Sequence, residues 1–299
     1  MKTSHPVSAP NLYEIAGGDI RTGRGTDGAP LQKQDRIAHE LLTGQEGDLG
    51  NYRLGYSESA NAATGNAWTT PRHRHIFEQV RHPLEGDYSI AGDQVLPAGW
   101  VAYFPESAYY GPQKLSPNLK SVVLQYGGPS GLGYMSAGQR KAGLAELLKK
   151  GKLNDGIYTW TAPDGRTHNQ DAHEALWEQV RGEKTSYPQA RYDSLIMMNP
   201  ASFPWIKDDD LTGVARKTLG VFTERDVRIG FVQLEAGAEL PFGTQPSSEM
   251  LFLKQGEIRH GDAKYPRLSA FGSDAADSPE TLVATEDCEL FYVKMCTFA

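Results

Sequence analysis

Cysteine is nearly absent from this 299-residue chain, which holds two, Cys288 and Cys296. Both lie in one strand-like run at even-numbered positions. A regular strand would point them to the same face but well beyond disulfide reach, so they read as buried free thiols. Basic residues are also scarce, 30 Lys and Arg against 37 Asp and Glu, giving a net charge of −7 and a pI near 5.6. Phosphate binding needs clustered Lys and Arg, so no nucleic-acid surface is expected. Long apolar runs are missing: none approaches the roughly 20 residues of a spanning helix. No early apolar segment follows Met1-Lys2, so no secretory leader is expected either. Gly127 to Gly133 lacks the Lys-Ser/Thr of a phosphate loop, and no Gly-x-Ser-x-Gly elbow or Cys/His nucleophile pattern occurs. These absences suit a cytoplasmic protein with a small-molecule ligand.

What is present is mostly strand-like. Residues 1–50 are rich in Gly, Pro, Thr and Asp and read as an extended arm. Asp35 to Leu42 is expected to make a short helix with Ile37, Leu41 and Leu42 on one face. From Asn51 short runs at 52–56, 72–81, 87–90, 99–104 and 120–126 are separated by Gly, Pro and Asp turns, the spacing of an all-β barrel or sandwich. Residues 129–217 form a mixed connector. Ser136 with Gln139 makes a capping box for a helix over about 137–150 that ends at Gly151. A second helix opens at Asp171 and closes at Gly182, and a strand at 157–161 lies between them. From Thr218 to the end β character returns.

The two β regions match at an offset of 170: His73 aligns with Gly243, His75 with Gln245, Gln79 with Glu249 and Gly86 with Gly256. Upstream, Arg53-Leu54-Gly55-Tyr56 resembles Arg228-Ile229-Gly230-Phe231. A repeat this long implies a duplicated domain, with units at 51–128 and 218–299.

Strand alternation puts His73, His75 and Gln79 on one face and Arg72, Arg74 and Glu78 on the other. Two imidazoles from one strand can grip Zn, Fe, Mn, Ni or Cu. Arg81 shares their parity and could clamp a substrate carboxylate or pair with Glu78 or Glu85. Gln113 could reach the pocket mouth. Tyr103 is a further candidate contact, with a packing role as the plainer reading. His82, near the turn at Pro83, is expected at the surface. Glu249 in the second unit is expected to make a structural hydrogen bond.

His-x-His-x3-Gln-x6-Gly, from His73 to Gly86, resembles the first cupin motif, in which Glu usually stands where Gln79 does. Gly99-x5-Pro105-x-Ser107-x2-Tyr110 resembles the second, in which Gly and His usually stand where Ser107 and Tyr110 do. Gly237-x5-Gly243-x-Gln245-x3-Glu249-x6-Gly256 keeps the frame without histidines. The chain therefore resembles a bicupin whose second unit is degenerate. The resemblance implies two double-stranded β-helix, jelly-roll-like barrels and a site in the first. It adds Tyr110 to His73, His75 and Gln79 as ligands of a divalent transition metal, with Tyr110 and Gln79 as catalytic groups. Oxidation of a small molecule, dioxygenase-like, is the chemistry the resemblance suggests. Lyase or isomerase action with Tyr110 as base, or metal-free ligand binding, stand beside it. A homodimer is expected.

Overall fold

The computed structural model describes residues 1–10, 36–59, 69–70, 72–154 and 156–298. Among them the apolar alternation of the sequence is realised as two large sheets, each backed by a small one. The first large sheet has six strands in the order Ile196–Met198, Val101–Phe104, Glu78–Glu85, Lys120–Tyr126, Tyr52–Ser59 and Arg36–Thr43. The second has seven, in the order Lys2–Ser4, Ala270–Ser273, Glu249–Gln255, Cys288–Lys294, Val227–Leu234, Val214–Phe222 and Ile206–Lys207. The small sheets also correspond. Thr69–Thr70, Gln113–Leu115, Tyr88–Ala91 and Gln94–Leu96 match Glu239–Phe242, Glu280–Ala284, Ile258–His260 and Ala263–Tyr265 strand for strand. The repeat seen as a spacing is thus a repeat of topology. Gly86 and Gly256 occupy the same turn with φ of +69° and +89°. A Cβ there would lie 2.4 Å from Ser116 Oγ or 2.6 Å from the Asp287 carbonyl, so both positions require glycine.

Each strand serves two cores because its side chains alternate. Between the large sheets Leu54, Val80, Val122 and Leu124 pack with Phe231, Phe252, Phe291 and Val293, all buried. Inside the first barrel Tyr88, Ile90, Leu96, Phe104 and Leu115 fill the space between large and small sheets. Leu240, Leu251, Leu253, Phe271 and Leu282 do the same in the second. Both cysteines are buried and free.

The expected helix at 35–42 is a strand, Arg36–Thr43, paired with Tyr52–Ser59. A register irregularity between Glu40 and Leu42 lets consecutive Leu41 and Leu42 both face inward, a pattern that looks helical in sequence. The arm's other described segment, Lys2–Ser4, extends the second sheet beside Ala270–Ser273, and the connector's Ile196–Met198 extends the first at the same place. Both strands cover edges that would otherwise be open.

The connector helices fall where their caps put them. Ala137–Lys150 has the full Ser136/Gln139 capping box, and Ala172–Arg181 has Asp171 as N-cap and Gly182 in the left-handed region. The second helix buries Ala175, Leu176 and Trp177 against Ile76 and Phe77 of the first barrel. That packing seats the connector over the segment carrying the histidine pair.

Candidate functional site

The ladder begins at Glu78, later than the strand expected from Arg72. Residues 73–77 are held instead by an isolated antiparallel bridge between His73 and Tyr110. His73 N–H donates to the Tyr110 carbonyl at 2.9 Å, Tyr110 N–H to the His73 carbonyl at 3.0 Å, and Ser107 N–H to the His75 carbonyl at 2.7 Å. Ser107 adopts a φ of +66°, which explains why the resembled motif carries Gly at this position. The two motifs are thereby joined backbone to backbone, and their side chains converge.

The His73 and His75 rings lie 5.0 Å apart edge to face, and the Tyr110 ring is 4.4 Å from His73 and 5.9 Å from His75. Both histidines are buried. Arg72 and Arg74 point the other way, stacked on the exposed ring of Tyr109, with Arg74 also on Tyr187.

Deeper in the barrel a hydrogen-bonded chain runs through two amides. Gln79 Nε2 donates to the Tyr110 hydroxyl at 2.7 Å. Gln79 Oε1 accepts from Arg81 Nη2 and from Gln125 Nε2, each at 3.0 Å. Gln125 Oε1 in turn accepts from Arg53 and from the Tyr134 hydroxyl. A guanidinium only donates, so Arg81 and Arg53 fix which end of each amide is oxygen. Arg81 Nη2 also reaches the Tyr110 hydroxyl at 3.4 Å.

Arg81 is the unusual group. It is 6% exposed and walled by the rings of Phe104, Tyr88 and Tyr110 at 4.5, 5.1 and 5.3 Å. Its Nε and Nη1 are buried without a hydrogen-bond partner. A buried charge left uncompensated costs several kcal/mol. Nε–H and the Nη1 hydrogens leave different edges of the planar guanidinium, so a carboxylate oxygen can meet either one, sharing that edge with Nη2.

The expected residues separate into two groups. His73, His75, Gln79, Arg81 and Tyr110 share the first barrel's interior. Gln113 is buried in the following small-sheet strand. Tyr103 is not brought to them: it faces the inter-barrel core, where its hydroxyl donates to Glu78 and its ring packs on Phe222 at 4.0 Å. His82 is fully buried, not at the surface. The strand continues past Pro83, and alternation sends His82 to the inter-barrel side. There Nδ1 meets the Trp100 carbonyl at 2.8 Å, and burial, with Lys254 nearby, depresses its pKa to about 3.

One residue was missed. His173, in the first turn of the Ala172–Arg181 helix, sets its ring 4.8 Å from His75 and 5.7 Å from Phe77. Phe77 stacks on His75 from another side at 4.4 Å. No spacing links residues so far apart in the chain, and only the apolar face of the helix hinted that it docks.

The four groups expected to hold a metal do not fit one. Both acceptor positions of a neutral Tyr110 hydroxyl are taken by Gln79 and Arg81, and Gln79 Oε1 is taken by Arg81 and Gln125. Two imidazoles remain, with a guanidinium close by. Among the described residues no group of three or more His, Cys, Asp and Glu is arranged to hold a metal ion. No described helix is long and apolar enough to cross a membrane.

No protein-family model and no curated protein matches the sequence. Solved structures do. Oxalate decarboxylase from Bacillus subtilis, in a study of its Mn(II) centres, matches with a TM-score of 0.53 at 11% identity, over 100% of this chain and 78% of its own. A protein provisionally named glyoxylate-induced, from Pseudomonas aeruginosa, matches with a TM-score of 0.53 at 12% identity, over 95% and 88%. A protein proposed to be a dioxygenase, from Nostoc punctiforme, matches with a TM-score of 0.52 at 9% identity, over 95% and 92%. Two topologically equivalent barrels, the motif spacing of the first and these likenesses agree on architecture: the chain has the bicupin fold.

Proposed function

We propose that the first barrel binds a small carboxylate-bearing molecule on Arg81 and acts on it by proton transfer at Tyr110, as a lyase or isomerase without a metal. The observation that carries this reading is the buried Arg81 guanidinium, whose Nε and Nη1 have no protein partner. A bound carboxylate supplies the missing charge and an acceptor for one of these two nitrogens.

Tyr110 is the nearest reactive group to that anchor. Gln79 Nε2 and Arg81 Nη2 both aim at its oxygen, where negative charge is therefore best tolerated. Once the Tyr110 O–H proton has passed to His73 or His75, a proton leaving a substrate carbon would go to the phenolate oxygen, and the electron pair of the broken C–H bond would shift toward the carboxylate held by Arg81. His73 and His75 stand beside the ring to orient the substrate or pass the proton on. The experiment is exchange of the α-hydrogens of a panel of small carboxylates in deuterated water, followed by NMR. Exchange is expected with the wild type and is lost in Tyr110→Phe with binding retained. Binding without exchange in any member leaves a carboxylate-binding protein and removes the enzymatic part.

The second reading is a metal-dependent, dioxygenase-like oxidation. The Nostoc neighbour's name and the manganese of the oxalate decarboxylase favour it, and the committed lone pairs of Gln79 and Tyr110 oppose it. Metal analysis of the purified protein separates the two: the proposed reading expects well under one equivalent. Assembly as a homodimer and a cytoplasmic location remain part of the proposal.

A further inference from the structure

The second barrel lacks the buried cation of the first and instead buries a carboxylate two residues earlier in the frame. Gln79 aligns with Glu249 and Arg81 with Leu251. Glu249 is 3% exposed, and its carboxylate accepts from the Tyr292 hydroxyl and from Gly243 N–H at 3.1 Å, both neutral donors. Lys294, its cross-strand neighbour, sends Nζ elsewhere, to Asp226 and Thr297. No described Lys, Arg or His lies within ion-pair distance of Glu249. The buried carboxylate borders a cavity of about 300 Å3 floored by Leu240, Phe242 and Leu251. Arg216 and Arg228 line the same cavity and are half-exposed; each uses its Nε on an aspartate, Asp208 or Asp226. Arg216 makes no hydrogen bond with its terminal Nη groups.

We propose that this cavity is a second, independent binding site for a small zwitterion of the amino-acid class. Its ammonium pairs with Glu249, its carboxylate meets the Nη groups of Arg216, and its side chain lies on the apolar floor. The cavity has the size of a small-ligand pocket, and its lining sets charges of both signs beside an apolar floor. A simple cation is repelled by the two rim guanidiniums, and a simple anion by Glu249. Nothing in this assignment depends on what the first barrel does.

The test is calorimetric titration with glycine and L-leucine, using acetate and methylammonium as single-charge controls. Arg81→Met in the full chain serves as background and silences the first barrel. The expected result is millimolar or tighter binding of leucine, weaker binding of glycine, and binding of either control at least about tenfold weaker than leucine. Glu249→Gln and Arg216→Gln should each weaken leucine by about tenfold or more. Arg216 is half-exposed, so its variant keeps the test open if Glu249→Gln misfolds. Absence of zwitterion binding in the Arg81→Met background overturns the proposal. So does acetate binding as tightly as leucine, or leucine binding unchanged by Arg216→Gln.

Discussion

Glu78 and Gln79 are consecutive on one strand and serve opposite cores. The Glu78 carboxyl accepts from Tyr103 between the two large sheets, and the Gln79 amide meets Tyr110 2.7 Å away inside the first barrel. One strand therefore carries both a buried acid at the inter-barrel boundary and the backbone of the site.

Glu78 makes stability depend on alkaline pH. Burial pushes its pKa up to about 8, with the neighbouring Glu106 also raising it and Tyr103 and Tyr126 opposing. The folded state thus holds the proton more tightly than the unfolded chain. The stabilisation is complete below pH 4.5, falls as pH rises, and is gone above about 8. Wild-type melting temperature should decline across that window. Glu78→Gln should flatten the decline, with a difference of roughly 3–5 kcal/mol on the alkaline side. Melting curves of both proteins from pH 5 to 9 check this.

His82 works from the acid side. Its pKa is depressed to about 3, chiefly by burial between the sheets. Its contribution is present above pH 6.5 and is lost as pH falls toward 3, because the unfolded chain takes the proton first. His82→Phe should resist acid unfolding better than the wild type between those limits. It stands among Phe231 and Phe291 and keeps the ring contacts. Urea midpoints at pH 4 and pH 7 measure the effect.

Arg81 predicts an inversion between stability and binding. Without ligand its buried charge has no anion, so Arg81→Met should leave the protein as stable or make it more stable. The same change should weaken carboxylate binding by on the order of 100-fold, because charge-assisted hydrogen bonds are lost. Thermal melts with and without ligand compare the two effects in one experiment.

The connector's part is carried by His173. Its helix is anchored by Leu176 and Trp177, so His173→Ala should fold normally by circular dichroism. With that ring gone from beside His75, ligand binding should weaken by about three- to tenfold. An unchanged affinity would make His173 a bystander.

Most of the architecture was legible because a duplication repeats its spacing. The frame from His73 to Gly86 and its echo from Gly243 to Gly256 locate both barrels, and alternation assigns Gln79 and Arg81 to one interior. Helix ends were readable from Ser136, Gln139, Asp171 and Gly182, since capping is local chemistry. The errors are non-local. The strand at 36–43 looked helical because a bulge turns Leu41 and Leu42 the same way. His82 and Tyr103 lie against the other barrel, whose presence at that face no local pattern reveals. That Gln125, from a neighbouring strand, donates to the Gln79 oxygen is likewise invisible in the spacing that marks Gln79 as a candidate ligand.

The most direct test of the account is titration of chelator-treated wild type and Arg81→Met with a small carboxylate and its neutral amide. The account predicts that the wild type binds the carboxylate with no metal present, prefers it over the amide, and loses that preference in Arg81→Met. Carboxylate binding that requires added transition metal, or that survives intact in Arg81→Met, would contradict it.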